Sequence, residues 1–156
     1  MSVVFLLLLS MLGVWAMSGN VLQERMAGNL RSRDLAQQAA EATARYVESK
    51  LSEWTTNNWY GEAFDGSTGL SNYDASTPND RNRWLNAATW ANARTLPAGT
   101  LPDVAERPKY LVERMALTEN PVSGLTDIQN YRITIRAVGR DPNAVVILQV
   151  VLRYTP

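Results

Sequence analysis

The hydrophobic pattern along the chain changes character as it is read from the N-terminus. From Val3 to Met17 the run VVFLLLLSMLGVWAM is apolar on every side, broken only by Ser10 and Gly13. A helix of that composition has to be surrounded on all faces, by lipid or by other helices. From Leu22 the pattern narrows to one stripe: Leu22, Met26, Leu30, Ala36, Ala40, Ala44, Val47, Leu51 and Trp54, mostly three or four residues apart. That is helical period. The first Pro is Pro78, so nothing forces a break between Val3 and Trp54, although Gly13, Gly19 and Gly28 each weaken a helix by roughly 1 kcal/mol relative to Ala. The pattern therefore predicts one helix of about 50 residues, ~75 Å long at 1.5 Å per residue.

Beyond it, Thr55 to Pro108 is rich in Asn, Asp, Ser, Thr, Gly and Pro. This reads as a long connection with one short helix, Asp80 to Ala93, docked by Trp59, Tyr60, Trp84 and Trp90. The last third reads as strands. KYLVERMAL, Lys109 to Leu117, precedes the turn-rich NPVSG. NYRITIRAV then sets Tyr131, Ile133, Ile135 and Ala137 against Arg132, Thr134 and Arg136, the period-two pattern of a half-buried strand. GRDPN, Gly139 to Asn143, is of hairpin-turn length, and AVVILQVVLRY, Ala144 to Tyr154, returns antiparallel. Because it is apolar on both faces, this last strand is expected to meet the long helix on one side and the connection on the other. The fold class is α+β: a long N-terminal helix packed on a small antiparallel sheet.

Charge sharpens this division. Lys plus Arg and Asp plus Glu both total 15, which gives no basis for a nucleic-acid partner. Yet Met1 to Gln23 carries no charge, and every charged residue follows it. There is no His and no Cys, which removes the commonest nucleophile and base arrangements and the thiolate and imidazole zinc ligands. No acidic pair is marked as a catalytic dyad, so an enzyme is not expected. In DGSTGLSNYDASTPND, Asp65, Asn72, Asp74, Asn79 and Asp80 are oxygen ligands of the kind calcium prefers, but their spacing is not that of an EF-hand loop. A solvated turn region is the better reading, and neither a metal nor a cofactor is expected.

The apolar run is slightly short of the ~20 residues that cross a bilayer. A cleaved secretory signal would need a basic stretch before the run and a small-x-small site after it, and neither is convincing here, since nothing basic stands between Met1 and Val3 and Trp15 and Met17 flank Ala16. A buried core helix is the plain alternative, opposed by four consecutive Leu after Phe5 and by the small size of the remaining chain.

The stretch that follows the run, LQERMAGNLRSRDLAQQAAEA, closely resembles the N-terminal signature of PilX-type minor pilins of type IV pilus systems. The resemblance rests on Glu24, Arg25, Met26, Ala27, Gly28 and Asn29, then Arg33, Leu35, Ala36, Gln38, Ala39, Ala40, Glu41 and Ala42. It extends to the strands: Pro108, Tyr110, Val112 and Glu113 match a P-x-Y-x-[IV]-E segment. Tyr131, Arg132, Ile133, Thr134, Arg136 and Gly139 match a Y-R-I-T-x-R-[AG]-x-G hairpin.

The resemblance implies a pilin-like fold divided into an apolar protruding half-helix, residues 1–23, and a periplasmic head, 24–156. The head comprises the striped half-helix 24–54, the connection 55–108 and the sheet 109–156. It implies a structural subunit of a tip or priming complex for pilus assembly, serving twitching motility and adhesion. Such a subunit is held in the inner membrane and then moves to the pilus tip at the cell surface. Val4, Phe5, Leu6, Leu7, Leu8, Leu9, Leu12 and Val14 would form the membrane and filament-core helix. Glu24, Arg25, Met26, Asn29, Arg31 and Arg33 would contact partner subunits. The implied partners are other minor pilins of the PilV, PilW and FimU types, a PilY-type tip adhesin and the major pilin. Two features depart from the pattern. A cleaved basic leader and roughly half a dozen apolar residues are expected upstream of Met1, which would restore a full span, and the C-terminal disulfide of many pilins has no Cys to form it. The alternatives are a GspK-like type II secretion pseudopilin and a single-span, membrane-anchored periplasmic binding protein.

Overall fold

The computed structural model describes residues 2–56, 63–99, 103–118 and 128–154, with side chains described at all of them except 2, 12–20, 51–56 and 154. One uninterrupted helix, α1, runs Ser2–Thr56. The strands are β1 (Leu70–Asn72), β2 (Arg94–Thr95), β3 (Lys109–Arg114), β4 (Gln129–Val138) and β5 (Val145–Tyr154). They form one sheet ordered β1-β3-β4-β5, with β2 also on β3. The β3–β4 and β4–β5 pairs are antiparallel as the alternation implied, and the ten residues of β4 lie opposite β5 from Gln129↔Tyr154 to Val138↔Val145.

The sheet is nevertheless mixed, because β1 runs parallel to β3, Leu70 opposite Val112. β1 and β2 both fall in the segment read as connection. Each is too short for a period-two pattern, and β1 depends on a partner some 40 residues away, so its pairing is not local. Gly69, at φ +76°, makes the tight entry into β1 possible: a Cβ there would sit 2.9 Å from the Asn92 carbonyl oxygen and 3.0 Å from the Arg94 nitrogen. The expected Asp80–Ala93 helix is two shorter pieces, α2 (Arg81–Leu85) and a 3₁₀ turn (Ala87–Trp90). Asp80 and Asn86 cap them, each side chain accepting from a backbone N–H two or three residues on. That is how Asp and Asn start turns and helices.

The inner face of the sheet is dry. Tyr131, Ile133, Ile135 and Ala137 of β4 join Tyr110 and Val112 of β3 and Leu70 of β1 beneath α1. From the helix come Ala39, Ala40 and Val47, with Ala36 and Thr43 also fully buried. These small side chains let the helix axis come close to the strands, and the Thr43 hydroxyl donates to the Ala39 carbonyl 2.7 Å away, so no polar group is stranded. Of the predicted stripe, Ala36, Ala40 and Val47 are buried and Ala44 partly so. Leu22, Met26 and Leu30 are exposed, and the side chains of Leu51 and Trp54 lie outside the described residues.

The outer face is covered by the connection, as expected of Trp84 and Trp90, each 5% exposed. The Trp84 indole N–H donates to Asn79 Oδ1 at 2.7 Å and that of Trp90 to the Trp84 carbonyl at 2.9 Å. Trp59 and Tyr60 lie outside the described residues, as does NPVSG. Along β3 and β4, Lys109 stands directly opposite Arg136, a like-charge pair that destabilises unless bridged. Glu106 bridges it, its two carboxylate oxygens each 2.7 Å from one cation.

Gly139, at the end of β4, abuts the Ser32 carbonyl, and a Cβ there would also stand 2.7 Å from the Ser32 hydroxyl oxygen. Gly139→Ala is therefore expected to cost about 1–3 kcal/mol by overpacking, read as a lower unfolding midpoint of the full chain in detergent. A midpoint equal to wild type would show that helix and hairpin are free to part. Lys109 first, then Arg136, hold the Glu106 carboxyl below the usual carboxylate range. This stabilisation is complete above the unfolded value of about 4.3 and fades as pH falls through the lower folded value. Glu106→Gln should thus melt slightly below wild type at neutral pH, the effect kept small by solvent screening. The gap should close below about pH 4, and a gap independent of pH would mean that charge is not its source.

Candidate assembly interface

Among its described side chains the helix has a packed part and a bare part. Sheet packing begins at Ser32; every residue from Val21 to Arg31 is exposed, and so is every residue from Val3 to Met11. Val4, Phe5, Leu6, Leu7, Leu8 and Leu9 are between 54% and 68% exposed, whereas the side chains of Leu12 and Val14 lie outside the described residues. Among the described residues no helix is long and apolar enough to cross a membrane.

Glu24, Arg25, Met26, Asn29, Arg31 and Arg33 all lie on the bare surface, and none of the four charged ones joins an ion pair among the described residues. They do not form one cluster. At 100° per residue, Leu22, Met26, Asn29 and Arg33 share one side of the helix, while Glu24 and Arg31 point to the opposite side. The shared side continues towards the head. There Asn29 and Arg33 meet Asp141, Asn143 and Ala144 of the β4–β5 turn around a cavity of about 260 Å³. Leu30, 68% exposed, flanks the apolar side at Leu22 (63%) and Met26 (60%).

What holds this turn against the helix is the Ser32 hydroxyl, which accepts from the Asp141 backbone N–H at 2.8 Å. The turn is pre-shaped by its own sequence: Asp141 Oδ1 accepts from the Asn143 N–H at 2.9 Å, with Pro142 between them. Ala144 N–H donates to the Asp141 carbonyl, and Gly139 N–H to that of Ala144, both at 2.9 Å. Asp141 and Asn143 were legible as a turn, and Ala144 was read as the start of the returning strand, which begins instead at Val145; none of the three was legible as the far wall of this cavity. The available signal was Ser32, a polar residue on the helix four positions before the buried Ala36.

An apolar ridge beside a notch lined by Asn29, Arg33, Asp141, Asn143 and Ala144 suits a side-by-side helical neighbour, with apolar contact for affinity and hydrogen bonds for register. It offers little for bond-making chemistry. Among the described residues no group of three or more acidic side chains is gathered to hold a metal ion.

A long helix, half packed on a mostly antiparallel sheet and half bare, defines a pilin-like subunit. The chain belongs to the PilX family: residues 29–154 match the family model for the type IV pilus assembly protein PilX C-terminal region, and residues 1–45 match that for the PilX N-terminal region. No curated protein and no solved structure matches it. Family membership makes this a protein of type IV pilus assembly, working with other components of that system. The motif residues have physical duties here: Gly139 lets the helix approach, while Glu113 and Arg132 form a cross-strand ion pair with Arg132 Nε 2.7 Å from the carboxylate.

If the ridge contacts partners rather than the chain's own head, Met26→Ser should leave the unfolding midpoint within about 0.5 kcal/mol of wild type, as exposed substitutions do. The same variant should recover several-fold less of the co-purifying pilus assembly proteins. A clearly lower midpoint would assign Met26 to the head instead.

Proposed function

We propose that this protein is a minor pilin, a structural subunit of the tip complex that primes type IV pilus polymerisation. The observation that carries the reading is the length of bare helix, Val3–Met11 and Val21–Arg31 being exposed on all sides among the described residues. Such a surface, apolar all round at its start, is stable only with neighbours. In this reading lipid of the inner membrane surrounds Val4 to Val14 before assembly. The helices of the PilV, PilW and FimU types of minor pilin and of the major pilin surround it afterwards. Extraction then exchanges one apolar environment for another, and its cost stays small. The head passes from the periplasm to the pilus tip, beside a PilY-type adhesin, where it serves twitching motility and adhesion.

Glu24, Arg25, Arg31 and Arg33 set stagger and partner choice, as flanking charges do in coiled coils. Asn29 and Arg33 receive polar groups of one neighbour at the notch beside Asp141. The role is one of assembly, without catalysis or cofactor.

Deleting the gene should abolish or sharply reduce surface pili and twitching, scored by electron microscopy and by zone diameter. Normal piliation in the deletion strain would exclude a priming role. Replacing Glu24 and Arg25 together by Ala should weaken co-purification with the other minor pilins while leaving the head folded. Unchanged recovery would reduce these two charges to a solvated face.

A further inference from the structure

We propose that the outer face of the head, away from the helix, carries a cavity that binds one singly charged oxyanion, a carboxylate foremost, through Arg83. The proposal does not rest on the pilus reading. It begins with charge. Glu113, 3% exposed, takes Arg132 Nε on one oxygen at 2.7 Å and Arg83 Nη2 on the other at 3.1 Å. Two guanidiniums thus share one carboxylate, and Arg83 Nη1 and Arg132 Nη2 are buried with no hydrogen-bond partner. Leaving a buried charged donor unmade costs more than leaving a neutral one, and native structures seldom keep two in one cluster.

Beside this cluster lies a cavity of about 280 Å³, walled by Ser71, Arg83, Thr89 and Asn92 and by the backbone at Gly66 and Gly69. Its position is set by register: Ser71 of β1 lies directly opposite Glu113 of β3. Two of the wall groups are already committed, since the Thr89 hydroxyl donates to the Arg83 carbonyl at 2.7 Å and the Asn92 amide to the Gly66 carbonyl at 3.1 Å. The Arg83 guanidinium and the Ser71 hydroxyl remain as donors. The guanidinium is also fixed from behind, its carbon 4.3 Å from the Trp84 ring centre.

Other acids do not complete Arg83. Asp80 Oδ1 accepts from the Arg83 backbone N–H, not from its side chain. Asp74 is engaged by Ser76 and Thr77 on its own exposed turn, where their hydrogen bonds hold its carboxyl low and Arg83 contributes least. One surplus positive charge among Glu113, Arg132 and the part-buried Arg83 matches one monoanion, and a planar guanidinium edge matches a carboxylate.

A carboxylate can arrive as a free small molecule or on an acidic residue of a neighbouring subunit, and the test separates these. The full chain in detergent is melted by tryptophan fluorescence in sodium acetate and in sodium chloride at equal ionic strength. Acetate at saturation should raise the wild-type midpoint by about 3 °C or more over chloride. Arg83→Gln, which keeps the Glu113–Arg132 pair, should lose that shift, and Ser71→Ala should weaken it. No shift beyond chloride, or an equal shift in both variants, means an adventitious ion only and overturns the site. Given the shift, Arg83→Gln is then compared with wild type for recovery of other pilus assembly proteins. Reduced recovery assigns the carboxylate to a neighbouring subunit; unchanged recovery assigns it to a free anion. Because melting needs no partner, a failed site and a failed pilus reading are told apart.

Discussion

Everything in this head depends on how closely α1 can lie on β4. The distance is set by what is missing from both surfaces: Ala36, Ala39 and Ala40 on the helix, Ala137 and Gly139 on the strand. Close approach brings Ile133, Ile135 and Val47 into one fully buried layer, and dense packing of that kind makes even one added methyl costly. The approach also places the Ser32 hydroxyl within reach of the Asp141 N–H, which orients the β4–β5 turn. The notch at Asn29 and Arg33 follows from that orientation. A single geometric constraint thereby links the core to the surface at which partners are proposed to bind.

The two faces of the sheet solve burial by different means. Beneath the helix the layer is mostly apolar, and no ionised side chain is buried in it among the described residues. Beneath the connection, Arg132, Thr134 and Glu113 are buried at 7%, 0% and 3% exposure, and a polar chain runs from Thr134 through Gln149 to Asn79 and Trp84. Buried polar groups need each partner in place. A connection rich in Asn, Asp and Ser is suited to supplying them, whereas it could not have formed a second apolar layer.

The second part of the helix and the core face of β4 were legible because each carries a sustained period in contiguous residues, and β5 because an apolar run follows a turn of hairpin length. The turn at Asp141–Pro142–Asn143 was legible from local chemistry alone. β1 and β2 were not, because a three-residue strand and a two-residue strand acquire meaning only from β3. The candidate interface was half legible. Asn29 and Arg33 stood out as exposed polar residues of the helix, but the side that Leu22, Met26, Asn29 and Arg33 share gains a notch only once Ser32 docks a turn over a hundred residues away. Helical period by itself could not separate Leu22 from Ala40, since 18 residues make five full turns and the two lie in line.

That alignment bears on where the helix changes surroundings. Charge divides it at Glu24, the first ionised side chain, whereas packing divides it at Ser32, the first buried one among the described residues. Between them lies a stretch that is charged and yet bare, with an apolar ridge too polar in company for lipid and uncovered by the head. Each four-residue step advances about 40°, so from Leu22 to Leu30 the ridge winds away from the line that the sheet covers further on. A neighbour packed along the side that Leu22, Met26, Asn29 and Arg33 share would instead stay on that line, pass Leu30 at its flank, and meet the notch and the β4–β5 turn. In the proposed assembly the short zone between the two boundaries both receives a helix and ends its contact, which is the combination a subunit needs if stagger along a bundle is to have one value.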